Sequence, residues 1–347
     1  MAIEQRQLGD TGVMVSPLCL GAMMFGAWGN TDHDDCVRII HSALDAGINF
    51  IDTADVYARG ESEEIVGKAL DGGHRDSVVL ATKVHGRMGD DANESGNSRR
   101  WIVREVENSL RRLGTDWIDL YQIHRPEPDT DIDETLGALT DLVRAGKVRY
   151  IGSSTFQPSQ IVEAQWVAER RGRERFVCEQ PPYSLLHRGI EAEVLPVCQR
   201  HRMGVIPWSP LAGGWLSGRY RRGSDSPDAS RRAGAQPTRF DMSLPANQAK
   251  LDAVTALAEL AEQSDMTLIE LALAFVTSHP AVTAAIIGPR TTEQLDSQLP
   301  ALELTLGSDV LDRIDEIVEP GVNVKADERG WDPAWLLDSA PRRRRPS

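Results

Sequence analysis

Short β-branched or apolar runs recur along the whole chain, each followed by a stretch with helical spacing, and no other feature limits its fold as much. The candidate strands are residues 18–20, 49–51, 78–82, 117–123, 148–153, 176–179, 204–208 and 282–287. Between them lie amphipathic segments such as Val103, Val106, Leu110 and Leu113, or Leu136, Leu139, Leu142 and Val143, spaced as one buried helical face. Asp131 followed by Glu134 has the pattern of a capping box opening the second. Strand–helix alternation implies parallel strands joined by helical crossovers. Eight such units close a (β/α)8 TIM barrel, and 347 residues suit one. An open doubly wound sheet is the competitor. It would carry a glycine-rich turn after its first strand, and Gly21-Ala22-Met23-Met24-Phe25-Gly26 does not fit GxGxxG.

Two regions break the rhythm. Residues 218–245 are rich in Gly, Ser, Pro and Arg without periodicity, as expected of a lid or a disordered loop. Residues 320–347 follow a helical segment built on Val310, Leu311, Ile314 and Ile317. They are expected to form an extension over or near the rim of a barrel spanning 1–319. Trp331 and Trp335 are read as packing there, and Arg342–Arg345 as a flexible, solvated end. Around Gly9-Asp10-Thr11-Gly12 the chain reads as a small hairpin.

Charge narrows the partners. Acidic residues outnumber basic ones 52 to 38, for a net charge of −14, which argues against nucleic acid and against an anionic membrane surface. A small anionic molecule stays possible, since a few local arginines can hold one. Cys19, Cys36, Cys178 and Cys198 form no CxxC pair and no zinc spacing, as expected of reduced cysteines in a cytoplasmic protein. The start has no signal-peptide pattern. The longest apolar run, near 268–276, contains Glu270 and is too short for a bilayer. Oligomeric state is not legible.

Barrel active sites lie at the C-terminal strand ends. The second strand ends in Asp52, with Tyr57 just beyond it; the third ends in Lys83 and the fourth in His124. Each has a plainer reading: Asp52 as a cap, Tyr57 as a rim aromatic, Lys83 as a solvated or Schiff-base lysine, His124 as a structural histidine. Their arrival on one rim favours chemistry. A phenol, with an ordinary pKa of about 10, donates a proton more readily beside an ammonium. A carboxylate keeps that ammonium charged, and an imidazole can orient a carbonyl oxygen. None of the four can supply a hydride, which calls for a nicotinamide cofactor. A metal-dependent hydrolase barrel would want histidines clustered near the first strand, and none stand there.

At these residues the chain resembles the aldo-keto reductase superfamily. The segment Asn49-Phe50-Ile51-Asp52-Thr53-Ala54-Asp55-Val56-Tyr57 is similar to that family's signature, and Ala81-Thr82-Lys83 to its lysine motif. His124-Arg125-Pro126 resembles the histidine segment of its bacterial and potassium-channel β-subunit branches. The resemblance runs from Arg6 to about Leu299. It implies an NADPH-dependent reductase of small carbonyl compounds with Tyr57 as general acid, Lys83 and Asp52 tuning it, and His124 orienting the carbonyl. A redox-sensing regulatory subunit that turns over slowly is the alternative.

The resemblance also implies a cofactor groove along the remaining strand ends. Small hydroxyls and an amide can hold a carboxamide, and Ser154, Thr155 and Gln180 match the nicotinamide-amide positions, with threonine where asparagine is common. Trp208 would stack on the ring. Ser209, Leu211 and Gly213, with Pro210 in the same loop, would line the pyrophosphate. Arg219 stands where lysine is usual, and either cation could pair with phosphate. Gly21, Ala22 and Met23 close the first strand, with Ala22 where threonine is common. Gly288 and Arg290 close the eighth, where Arg290 is assigned the 2′-phosphate and so NADPH over NADH. Gln294 is assigned the adenine, or else closes a capping box with Thr291. Gln298 stands where asparagine is common.

Overall fold

In the computed structural model, residues 4–222, 234 and 236–332 are described. Trp335, Arg342–Arg345 and residues 223–233 of the long loop lie outside them. The chain opens with an antiparallel hairpin, β1 (Arg6–Gln7) and β2 (Met14–Val15). Eight parallel strands follow: β3 (Leu18–Gly21), β4 (Phe50–Asp52), β5 (Val79–Val84), β6 (Ile118–Ile123), β7 (Val148–Ser154), β8 (Phe176–Gln180), β9 (Gly204–Val205) and β10 (Ala285–Ile287). They hydrogen-bond in the order β10-β3-β4-β5-β6-β7-β8-β9. The free edges meet where Thr283 N–H donates to Val205 O at 2.8 Å and Ile286 N–H to Pro207 O at 2.9 Å, closing a (β/α)8 barrel.

Every strand overlaps its expected run. Two are much shorter: the eighth covers only the second half of 282–287, and the seventh stops at Val205, where Pro207 withdraws a donor from 204–208. Beyond Val205 isolated bonds continue the pairing with β8, among them Ile206 N–H to Glu179 O and Trp208 N–H to Pro181 O.

The helices among the described residues are α1 (His33–Asp45), α2 (Glu61–Leu70), α3 (Arg99–Leu113), α4 (Ile132–Arg144), α5 (Pro158–Arg171), α6 (Val194–Arg200), α7 (Pro237–Phe240), α8 (Pro245–Gln263), α9 (Leu268–Ser278), α10 (Thr292–Asp296) and α11 (Ser308–Ile317). Two expectations need correction. On α3, Val106, Leu110 and Leu113 are buried as expected, but Val103 is 39% exposed, and Ile102, Glu105 and Ser109 complete the buried face. On α4, Asp131 does cap the helix, accepting from Asp133 N–H. The Glu134 carboxylate, however, accepts from Arg99 N–H at the start of α3, so no capping box forms.

Strand side chains alternate between the barrel interior and the helix layer. Leu8 and Val15 of the hairpin join Cys19, Phe50, Ala81, Leu120, Cys178, Ile206, Ala284 and Ile286 in one interior cluster. The hairpin fits tightly beneath: a Cβ on Gly9, whose φ is +57°, would lie 2.4 Å from Val177 O. Two residues further along the strands the same inward parity brings Gly21, Asp52, Lys83, Gln122, Gln180, Trp208 and Gly288 to the upper end. The interior is therefore apolar below and polar above.

After α11 the chain returns across the barrel. Val324 N–H donates to Leu186 O at 3.0 Å, and Arg188 N–H donates to Val322 O at 3.1 Å. Buried Glu328 meets His187 Nε2 at 2.6 Å and Lys250 Nζ, on α8, at 2.9 Å. Burial works against its charge, but the His187 hydrogen bond and the Lys250 ammonium overcome that and hold its carboxyl at about 2. A lowered acid pKa stabilises the fold above the unfolded value of 4.5, and that contribution disappears as pH falls from there to about 2. Replacing Glu328 with alanine strands the buried Lys250 and should cost ~3–5 kcal/mol in urea unfolding at pH 7. An unchanged midpoint would show that the cluster does not hold the segment.

Candidate active site

Inward parity on β4 and β5 buries Asp52 and Lys83 side by side, both almost wholly shielded from solvent. Lys83 Nζ contacts Asp52 Oδ1 closely, donates to Thr53 O at 2.8 Å and reaches the Tyr57 hydroxyl at 3.2 Å. The second oxygen of Asp52 accepts from Gln122 Nε2 at 3.0 Å and Gln180 Nε2 at 2.9 Å. The carboxylate is thus fully engaged, and the ammonium is fixed under the phenol. Tyr57 stands on a turn with Ala58 and Arg59 at φ of +47° and +57°, a conformation that non-glycine residues seldom adopt.

His124 continues β6, its ring 5.6 Å from that of Tyr57 at 82°. Burial, then the charges of Lys83 and Arg125, push the imidazole pKa well below 6.5, so it is neutral at physiological pH. Burial raises the Tyr57 pKa above 10, while the Lys83 charge and hydrogen bond pull it back. For Lys83 burial favours loss of the proton, but Asp52 and Tyr57 outweigh it and raise its pKa. The four groups proposed from strand ends thus come together: a protonated phenol, a charged lysine, an engaged carboxylate and a neutral imidazole.

The family model for the aldo/keto reductase family matches residues 17–319. The chain belongs to the aldo/keto reductase family. The Bacillus subtilis protein named uncharacterized oxidoreductase YrpG is 41% identical over 327 residues, covering 91% of this chain and 96% of its own. A Saccharomyces cerevisiae protein named as aryl-alcohol dehydrogenase AAD16 is 31% identical, covering 92% and 98%. An Arabidopsis thaliana protein named as a voltage-gated potassium channel subunit beta is 34% identical, covering 91% and 97%. This aldo/keto reductase is accordingly an NAD(P)H-dependent oxidoreductase.

The other strand-end residues line the same rim. Ser154 Oγ donates to Gln180 O at 2.9 Å, and Thr155 holds a left-handed φ of +60°. Gln180 turns its amide nitrogen inward, to Asp52 and to Gln122 Oε1 at 3.1 Å. Met23 is 40% exposed, while Ala22 is buried and donates its N–H to Asp52 O. Gly21 fits only as glycine, since a Cβ would stand 2.6 Å from Ile286 Cγ2.

After Trp208 the backbone is kinked, with positive φ at Ser209, Ala212, Gly213 and Gly214. The N–H groups of Ala212, Gly213 and Gly214 are spent within that turn, on Ser209 O, Ser209 Oγ and Leu211 O, and Pro210 has none. Arg219 is exposed, next to open backbone at Gly218. Gly288 is exposed as well. Arg290 N–H donates to Gln294 Oε1 at 2.9 Å, so Gln294 braces that backbone and does not complete a capping box with Thr291. Gln298 is buried.

Sequence reasoning passed over three residues here. Gln122 sits two before His124 on β6, and that inward parity was the available signal. Trp28, 49% exposed in the loop after β3, lies 6.0 Å ring to ring from Tyr57. Arg125 anchors to Thr155 Oγ1 at 2.8 Å. Among the described residues no helix is long and apolar enough to cross a membrane.

Proposed function

We propose that the protein reduces aldehydes or ketones to alcohols with NADPH, Tyr57 acting as general acid. The observation that carries this is the buried Asp52–Lys83–Tyr57 chain of contacts. A bound nicotinamide supplies the hydride. Tyr57 gives its proton to the carbonyl oxygen as charge develops there. Lys83 stabilises the phenolate left behind, Asp52 keeps Lys83 charged, and neutral His124 donates an N–H to the same oxygen.

For the cofactor, Ser154, Thr155 and Gln180 would hold the carboxamide and Trp208 would stack on the ring. Ser209, Pro210, Leu211, Gly213, Arg219 and the closing residues Gly21, Ala22 and Met23 would border the rest, with Arg290, Gln294, Gln298 and Gly288 at the adenosine end. Trp208 Nε1 and Gln298 Oε1 are among seven buried side-chain polar atoms of the described residues that lack a partner, and these two lie in the proposed groove. Arg290 underlies the preference for NADPH. A charge-assisted contact of ~1.5–3 kcal/mol is at stake, so Arg290→Ala should raise KM for NADPH by roughly 10- to 150-fold and leave KM for NADH nearly unchanged. Equal effects on both cofactors would remove the assignment.

The relatives named as channel subunits favour a second reading, a redox-sensing subunit with slow turnover. Single-turnover oxidation of bound NADPH by an aldehyde separates the two. A fast reaction supports the enzyme, and one taking many minutes supports the sensor.

A further inference from the structure

Arg125 is the charged group at this rim that the scheme above leaves without a task. Its Nη1 donates to His124 O at 2.6 Å, to Thr155 Oγ1 at 2.8 Å and to Ser154 Oγ at 3.4 Å. One nitrogen of the fork therefore does all the anchoring. Nε and Nη2 have no acceptor among the described residues, and the side chain is partly exposed. Its Cζ lies 6.0 Å from the centre of the Trp208 ring.

Three other shielded arginines have carboxylates, whereas Arg6 spends its donors on the Thr277 and Val282 carbonyls. Arg75 pairs with Asp119, Arg112 with Glu63 and Glu105, and Arg188 with Glu191 and Asp315. Arg125 has no carboxylate of a described residue within 4.0 Å. The acidic group whose field reaches it, Glu179, is engaged elsewhere: its oxygens contact Ser153 Oγ and accept from Phe156 N–H at 3.2 Å. Burial also pushes the Glu179 carboxyl up to about 7, so it is a poor counter-ion near neutrality.

A fixed guanidinium with two donors unspent, next to His124 in the chain and 6.0 Å from the Trp208 ring, matches a carboxylate, which takes such donors in parallel. Unpaired, a shielded charge of this kind costs stability, and a ligand that completes it recovers that cost. We propose that Arg125 forms an anion subsite, so that the preferred substrates are aldehydes or ketones bearing a carboxylate. This rests on the carbonyl-reductase reading above. The carbonyl would meet Tyr57 and His124 while the carboxylate meets the free edge of Arg125. With a net charge of −14 the chain has no general attraction for anions, so a preference for an acid must come from a local cation.

The test compares 4-formylbenzoate with its methyl ester, by kcat/KM with NADPH. The wild type should favour the acid by about tenfold to a hundredfold. Arg125→Gln should bring the ratio to about one, and Arg125→Lys, which keeps the charge without the fork, should restore part of it. Equal use of acid and ester by the wild type overturns the subsite. So does an Arg125→Gln variant that loses both substrates by the same factor, because Arg125 would then serve only the Ser154 and Thr155 hydroxyls. If neither aldehyde is reduced, the carbonyl-reductase reading fails instead, and calorimetric titration with benzoate decides the subsite. Binding by the wild type that Arg125→Gln abolishes supports it, and no binding by the wild type overturns it.

Discussion

Tyr57→Phe should bind NADPH with unchanged affinity and lose carbonyl reduction by roughly 10²- to 10⁴-fold, the range removed when a positioned general acid is deleted. The substitution takes away one oxygen. The ring keeps its neighbours, His124 at 5.6 Å and Trp28 at 6.0 Å between centroids. Lys83 keeps Asp52 and Thr53 O as acceptors, so the charge pair beneath survives. A folding defect would lower cofactor binding and turnover together, whereas loss of the acid lowers turnover alone. Fluorescence titration with NADPH beside steady-state consumption separates the two, and a variant keeping more than a tenth of wild-type kcat would end Tyr57's candidacy.

The reasons this site could be read from sequence are local. Asp52, Lys83 and His124 are polar residues ending apolar strands, and in a parallel barrel the strand ends share one rim. Only the pairing order was needed to make them neighbours, and chain order supplies it for β4, β5 and β6. Gln122 was legible by the same parity, yet it lies inside an apolar run, where an amide reads as an irregularity. Its task, holding Asp52 Oδ2 from 70 positions away, depends on strand register. Val103 shows a different limit. Apolar spacing identified the α3 helix and its buried Val106, Leu110 and Leu113 but added Val103, because Ser109 and Glu105 are buried on that face through contacts that periodicity does not encode.

For the segment after α11, expected over or near the rim, it was the anchor that lay beyond reach, for a further reason. Its anchor joins His187 to Glu328 across 141 positions, and neither residue belongs to a repeating pattern. The result is visible at the rim: Gly330, at a φ of +88°, lies so near that a Cβ would stand 2.8 Å from Thr155 Cγ2. A polar cluster remote in sequence thus fixes backbone beside a residue assigned here to the carboxamide. Nothing in the local sequence around Thr155 or Gly330 announces that contact. Long-range polar pairs of this kind are set by three-dimensional packing, whereas strand ends are set by order along the chain.

Lys83→Met carries the second large expectation, on stability and on rate together. Its ammonium is wholly buried, so removing it leaves the Asp52 carboxylate without its cation and should cost ~3–5 kcal/mol. Gln122 and Gln180 still donate to Asp52 Oδ2, which should keep the loss toward the lower end. The effect on rate follows from the phenol. Burial lifts the Tyr57 pKa, and the charge and hydrogen bond of Lys83 oppose that lift. Without Lys83 the phenol becomes a still weaker acid and its phenolate loses its stabilising charge, so kcat should fall by about 10²-fold or more at neutral pH. The sign with pH is fixed as well. With Tyr57 as the proposed general acid, reduction requires its protonated form, so activity should decline as pH rises through the phenol's pKa. In the variant that decline should begin at higher pH, on a lower plateau. Lys83→Arg, which retains a cation, should keep the decline nearer its wild-type position even if misplaced geometry lowers kcat. A Lys83→Met profile that declines at the wild-type pH would mean the lysine only supports the fold, and that something other than its charge governs the phenol.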